Sequence, residues 1–187
     1  MDFNLLRRIR RGFPNPFLRL LDPFPFWMPM ARVLIVYDSR TGNTERMAYA
    51  VAEGVREEGV EVEVKRVDDA SVDELPEYDG IIIGSPVYYG QATAKIKEFI
   101  DASVKHHGRL EGKVGAAFTS SGGVHSGAET TLLSLIHAML IHGMVIQGAS
   151  GRNHYGAVSV GAPDDEDLKV CREMGRRVAR LVKRLHG

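Results

Sequence analysis

At 187 residues, with 44% apolar and 26% charged side chains, the chain has room for one domain and the composition of a globular one. Its 24 basic and 24 acidic side chains cancel, leaving no net field to attract nucleic acid. Cys171 stands alone, which excludes an intrachain disulfide and any four-cysteine zinc or iron–sulfur centre, and suits a reducing cytoplasm.

Residues 1–30 break from the rest in composition. They hold Pro14, Pro16, Pro23, Pro25 and Pro29, five of the seven phenylalanines, and Trp27. Five arginines there oppose only Asp2 and Asp22, so the segment is basic while the remainder is slightly acidic. No long apolar run follows the arginines, so neither a signal peptide nor a spanning helix is expected. The prolines interrupt any amphipathic helix beyond Phe13. We read 1–30 as an extension, disordered or serving as an arm on a sister subunit or an anionic membrane surface. Residues 31–187 form the domain, and Met30 would be an ordinary start for it.

From Arg32 onward, short β-branched runs alternate with helical patterns, the signature of a parallel sheet covered by helices. The first strand is expected at Val33–Tyr37, a continuous apolar run suited to burial on both faces. Ser39, Arg40, Thr41, Gly42, Asn43 and Thr44 follow and lead directly into a helix marked by Met47, Ala48, Val51 and Val55. Free amides and the positive dipole end at such a junction attract an anion, hydroxyls at 39, 41 and 44 can donate to phosphate oxygens, and Gly42 allows close approach. A plain capped turn uses the same residue types, but three hydroxyls with Gly and Asn exceed what one cap requires. With no Gly-Lys-Ser/Thr, a triphosphate is not the expected ligand.

The second strand, at Val60–Val64, alternates as a half-exposed edge strand would. The third, at Ile81–Gly84, is followed by Ser85, Pro86, Val87, Tyr88, Tyr89 and Gly90, where two aromatic rings could flank a flat ligand or simply sit on a rim. A helix carrying Ile96, Phe99 and Ile100 comes next. The fourth strand, Val114–Thr119, opens into Thr119, Ser120, Ser121, Gly122, Gly123, Val124, His125, Ser126 and Gly127. This segment could wrap a polar ligand with amides and hydroxyls, or be a flexible connector. His125 has no second ligand at metal spacing, so no metal is expected.

An unusually apolar helix around Leu132–Leu140 follows, suited to a central position or a subunit contact, then a fifth strand at Met144–Gln147. The last helix begins after Pro163 with four acidic residues and ends in Lys183 and Arg184, matching the macrodipole. The implied sheet is five-stranded and parallel with order 2-1-3-4-5, in an α/β three-layer sandwich. Its ligand crevice lies beyond the carboxyl ends of strands 1 and 3.

The three segments, taken as Y-D-S-R-T-G-N-T-E-R-M-A, G-S-P-V-Y-Y-G and F-T-S-S-G-G-V-H-S-G-A-E-T-T-L-L-S with H-G-M-V-I, resemble the WrbA-like NAD(P)H:quinone oxidoreductases of the flavodoxin superfamily. The likeness spans about 31–184. It implies a flavodoxin-like fold, FMN as cofactor, NAD(P)H as co-substrate and a quinone or other small electron acceptor. It assigns phosphate binding to Ser39–Thr44, ring contacts to Val87, Tyr88 and Tyr89 after Pro86, and the ribityl chain and ring edge to Thr119–Gly123. It also places a flavin-contacting histidine at His142, which the residue pattern alone marks only as a helix end. A dimer or tetramer is implied as well.

The chain departs from the family in two places. Val64–Tyr78 is too short for the insertion that helps build the family's tetramer, and Asp101–Gly112 lacks the tryptophan found beside the flavin, offering His106 and His107 instead. Because the flavin carries the chemistry, no catalytic acid–base pair is singled out. A flavodoxin-type electron carrier serving a redox protein partner is the alternative, and a flavin-free interaction domain the third reading.

Overall fold

The order of apolar runs and amphipathic patterns builds a layered α/β sandwich, and the computed structural model describes it over residues 31–187. The arm or disordered extension expected at 1–30 lies outside these residues. Strands β1 (Arg32–Tyr37), β2 (Glu61–Arg66), β3 (Gly80–Pro86), β4 (Val114–Ser121), β5 (Val145–Ile146) and β6 (Ala157–Val160) alternate with helices α1 (Asn43–Glu57), α2 (Ala94–Ala102), α3 (Ala128–Ile141) and α4 (Asp165–His186). Short 3-10 turns at Val72–Glu77 and Ser103–His106 complete the element order. All strand pairings are parallel, in the order β2-β1-β3-β4-β5, as the sequence implies.

Several strand boundaries differ from expectation, and the second strand runs on to Arg66. The third and fourth strands run two residues further than the apolar run suggests, so Ser85, Pro86, Ser120 and Ser121 are strand residues rather than loop residues. The three serine hydroxyls are satisfied nearby, Ser85 by the Pro86 carbonyl and the Thr93 amide, Ser120 by Thr44 of α1 and Ser121 by the Gly123 carbonyl, which lets polar side chains continue the ladder. The fifth sheet position is filled twice: Val145 and Ile146 pair with Val114 and Gly115, and Ala157–Val160 pair with Phe118–Ser121. The ten residues between them leave the sheet and return to it, a detour that the apolar run at Met144–Gln147 does not announce.

Each face has its own core. On one, α1 and α4 cover the sheet through Met47, Val51, Val55, Met174, Val178 and Val182. On the other, Ile96, Phe99, Leu132, Leu135 and Met139 of α2 and α3 cover Leu34, Val36, Ile81 and Ile83. Helices α1 and α4 touch backbone to backbone, because a Cβ at Gly54 would lie 2.0 Å from the Arg172 carbonyl oxygen and one at Gly175 would lie 2.1 Å from that of Val51. This contact is flanked by Arg172–Glu53, Arg176–Glu57 and Arg180–Glu58 ion pairs. No described helix is long and apolar enough to cross a membrane.

Candidate functional site

The strands all end on the same side, so the segments after β1, β3 and β4 meet at the carboxyl edge of the sheet. The first is a preformed turn. Ser39 Oγ accepts a hydrogen bond from the Gly42 amide at 3.1 Å, and Gly42 takes a φ of 86°, which a residue with a Cβ adopts only under strain. No side chain caps the helix that follows, so the first-turn N–H groups of Asn43, Thr44 and Glu45 face the crevice without partners in the helix. Glu45, the one acidic residue in this turn, accepts a hydrogen bond from the Tyr37 hydroxyl at 2.7 Å. Burial, followed by the Glu45 carboxylate, raises the Tyr37 pKa, so the phenol stays protonated and donating.

Arg66 secures the turn from the end of β2. Its guanidinium donates to the Ser39 carbonyl at 2.6 Å and lies 3.9 Å from the buried Asp38 carboxylate. The sequence reading missed this residue because it ended the second strand at Val64. Continuing the alternation of V-E-V-E-V-K-R to its end would have placed Arg66 beside Tyr37, its partner in the β1–β2 register.

The second segment folds back on itself. Tyr88 and Gln91 exchange both backbone hydrogen bonds at 3.0 Å, and the two residues between them, Tyr89 and Gly90, have φ of 51° and 75°. Such positive φ values define a tight primed turn, which aims Tyr89 wholly into solvent. Tyr88 lies half-buried under the Arg40 guanidinium, 4.4 Å from its ring centroid, so the first and second segments touch at the rim. The Val87 amide donates to the Ser120 carbonyl at 2.8 Å and continues the ladder towards the rim.

Hydroxyls join the third segment to the other two. Thr44 Oγ1 and Ser120 Oγ lie 2.8 Å apart and are both buried, tying the start of α1 to the end of β4. Thr119 Oγ1 donates to the Ser85 carbonyl, and Ser121 Oγ to that of Gly123. Thr119 is therefore a fastener between strands. Thr130 Oγ1 donates to the Gly90 carbonyl at 3.0 Å, and a Cβ at Gly127 would lie 2.5 Å from Gly90 Cα, so the second and third segments are in backbone contact. At Gly42, Gly122 and Gly123 a Cβ would meet nothing within 4 Å, which leaves these backbones open to a ligand.

His142 does not join this constellation. Because β5 begins level with the first residues of β4, the residue three places earlier lies at the opposite edge of the sheet. His142 closes α3 there, with Nε2 2.8 Å from Ser103 Oγ and Nδ1 buried without a partner. Its ring centroid lies 6.0 Å from that of His107. Burial first, then the neighbouring His107 and His106, lowers its pKa. A histidine held neutral in the fold costs stability once the unfolded chain binds the proton it refuses. Stability is thus expected to fall as pH drops through the ordinary histidine range near 6.5 towards the lowered value. Melting curves from pH 8 to 5 should show a flatter dependence for His142→Gln than for the parent chain, and parallel curves would remove His142 as the cause.

A flavodoxin-domain model matches residues 34–139, more than half of the chain. The chain belongs to the flavodoxin family. Among relatives of this flavodoxin-family chain, "NAD(P)H dehydrogenase (quinone)" of Archaeoglobus fulgidus is 40% identical over 83% of the chain and 100% of its own length. A protein named "Flavodoxin" from Aquifex aeolicus is also 40% identical, over 82% of this chain and 88% of that one. The solved structure of a flavodoxin, WrbA-like protein from Agrobacterium tumefaciens superposes with a TM-score of 0.71 at 29% identity, covering 83% and 99% of the two chains. The flavodoxin-family fold thus extends beyond the matched segment to the whole described domain.

Proposed function

We propose that this chain is an FMN-dependent oxidoreductase passing two electrons from NAD(P)H to a quinone or a similar small acceptor. The observation that carries the reading is the meeting of an uncapped helix N-terminus, a Tyr-rich turn and a glycine-opened strand end in one crevice. Asn43–Glu45 amides with the Thr41 and Thr44 hydroxyls would hold the phosphate of FMN. Val87, Tyr88 and Tyr89 would meet the ring, and the Ser120–Gly123 backbone would meet the ribityl chain and ring edge. Bound FMN supplies the two-electron chemistry, so the chain's tasks are to bind, orient and shield, with no acid–base pair required. Relatives that carry the name "NAD(P)H dehydrogenase (quinone)" over nearly their full length support this reading.

The alternative, an electron carrier working with a redox protein, draws support from the equally similar relative named "Flavodoxin". Arg40 and Arg46 at the crevice argue against the acidic docking face that such carriers display. We assign the protein to the cytoplasm, where its buried free thiol would stay reduced. A homo-oligomer formed through the exposed Leu140, Ile141 and Val145 would cover the apolar surface at the β5 edge.

The purified protein is expected to show flavin absorption bands, or to acquire them with added FMN, and to oxidise NADPH in the presence of benzoquinone. No flavin uptake rejects both the enzyme and the carrier. Bound FMN without NADPH oxidation selects the carrier.

A further inference from the structure

Helix α4 has two cationic faces with different surroundings. Arg172, Arg176, Arg180 and Lys183 are matched by Glu53, Glu57 and Glu58 of α1. Arg177 is rotated about 100° from Arg176, and Arg184 lies two turns further along the same stripe. Among the described residues neither makes an ion pair within 4 Å, and nor does Arg152 on the segment between β5 and β6. The helix dipole does not account for Arg177, which lies more than two turns before the end of α4, beyond the last turn where the dipole acts.

Arg177 stands where two cavities meet. One, of about 460 Å³, lies under the Gln147–Asn153 segment; the other, of about 300 Å³, runs beside the arginines; both are lined by Gln147, Glu173 and Arg177. These volumes are those of small-molecule sites. Arg177 is half-buried, and its Nε is shut off from solvent with no acceptor among the described residues. A buried donor left unpaired is costly, and an oxyanion would satisfy it together with the charge. Burial also lowers the Arg177 pKa, and the nearby Glu173 carboxylate opposes that shift only in part.

The rest of the lining narrows the ligand. Ser150, Asn153 and Gln147 offer neutral donors and acceptors, while Glu166 and Glu173 offer carboxylates. Those carboxylates repel a bare polyanion but accept hydrogen bonds from hydroxyls. We propose that this groove binds a phosphorylated small molecule with a hydroxyl-bearing body, its phosphate on Arg177 and Arg184 and its hydroxyls against Ser150, Asn153 and Glu173. None of these residues belongs to the three segments of the flavin crevice, so the site stands independently of the proposed reaction.

Calorimetric titration of the full chain with ribose 5-phosphate, ribose and inorganic phosphate tests this, with saturating FMN to keep phosphate out of the crevice. Ribose 5-phosphate is expected to bind saturably, and at least about tenfold more tightly than either half alone. Arg177→Gln and Arg184→Gln should each weaken it by about tenfold or more, whereas Arg172→Gln, paired with Glu53 of α1 and outside both cavities, should leave it within about twofold. Melting temperatures of all three variants identify any that fail to fold, and the exposed Arg184 keeps the test usable if Arg177→Gln does. The proposal is overturned by an absence of saturable binding, by equal affinity for inorganic phosphate, or by binding indifferent to both substitutions.

Discussion

Gly175→Ala is expected to lower the stability of the domain by about 3 kcal/mol, the upper part of the usual range for overpacking. Alanine ordinarily favours a helix interior over glycine by about 1 kcal/mol, so a stabilising effect is what local propensity alone would give. The sign reverses because the added methyl would lie 2.1 Å from the Val51 carbonyl oxygen, a backbone atom that cannot swing aside. Relief requires α1 and α4 to separate, which loosens Met47, Val51, Met174 and Val178 together and strains the ion pairs at Glu53 and Glu57. Gly54→Ala meets the Arg172 carbonyl in the same way, and the two sites should couple, since either one alone forces the helices apart. In a domain of this size, about 3 kcal/mol corresponds to a fall in Tm of roughly 6–12 °C. Urea unfolding of the two single variants and the double variant checks both claims, and a Gly175→Ala midpoint at or above that of the parent would contradict them.

The second large effect is on flavin binding. Replacing both Thr41 and Thr44 with alanine is expected to weaken FMN by about a hundredfold, because hydrogen bonds to a charged phosphate contribute about 1.5–3 kcal/mol each. The two hydroxyls differ in kind. Thr41 is exposed at the turn and free to donate, whereas Thr44 is buried and shares its hydroxyl with Ser120, so its loss also unties α1 from β4. Ser120→Ala should therefore weaken FMN as well, and Thr44→Ala with Ser120→Ala should cost less than the sum of the two. Fluorescence titration of the apoprotein measures the affinities, with its melting temperature as the check on folding. Unchanged affinity in the double threonine variant would reduce the turn to a helix start with no ligand.

The sheet order was legible because buried parallel strands leave continuous apolar runs, as V-L-I-V-Y and I-I-I do, and because the helices between them repeat at their own spacing. The crevice was legible for a different reason. Its glycines and hydroxyls exceed what turns and caps need, and they occur at the ends of three strands that the order places side by side. Three features were hidden. Arg66 acts through the Ser39 carbonyl of the neighbouring turn, a contact that emerges only when the second strand is carried past Val64. Thr119 has the composition of a ligand residue and the partners of a strand fastener. His142 was placed by likeness to a family, and the height at which β5 joins β4 sets it on the opposite edge of the sheet.

The interrupted fifth position separates two jobs that a continuous strand would link. Val145–Ile146 and Ala157–Val160 each take their register from β4, so neither depends on the number of residues between them. The Gln147–Tyr155 part of the detour can therefore lengthen, shorten or change composition while Ser121 and the flavin end of the sheet stay in place, with Gly156 held because a Cβ there would lie 2.0 Å from the Ala117 carbonyl oxygen. In evolutionary terms, insertions and substitutions among relatives are expected to concentrate there, while the strand segments on either side keep their length.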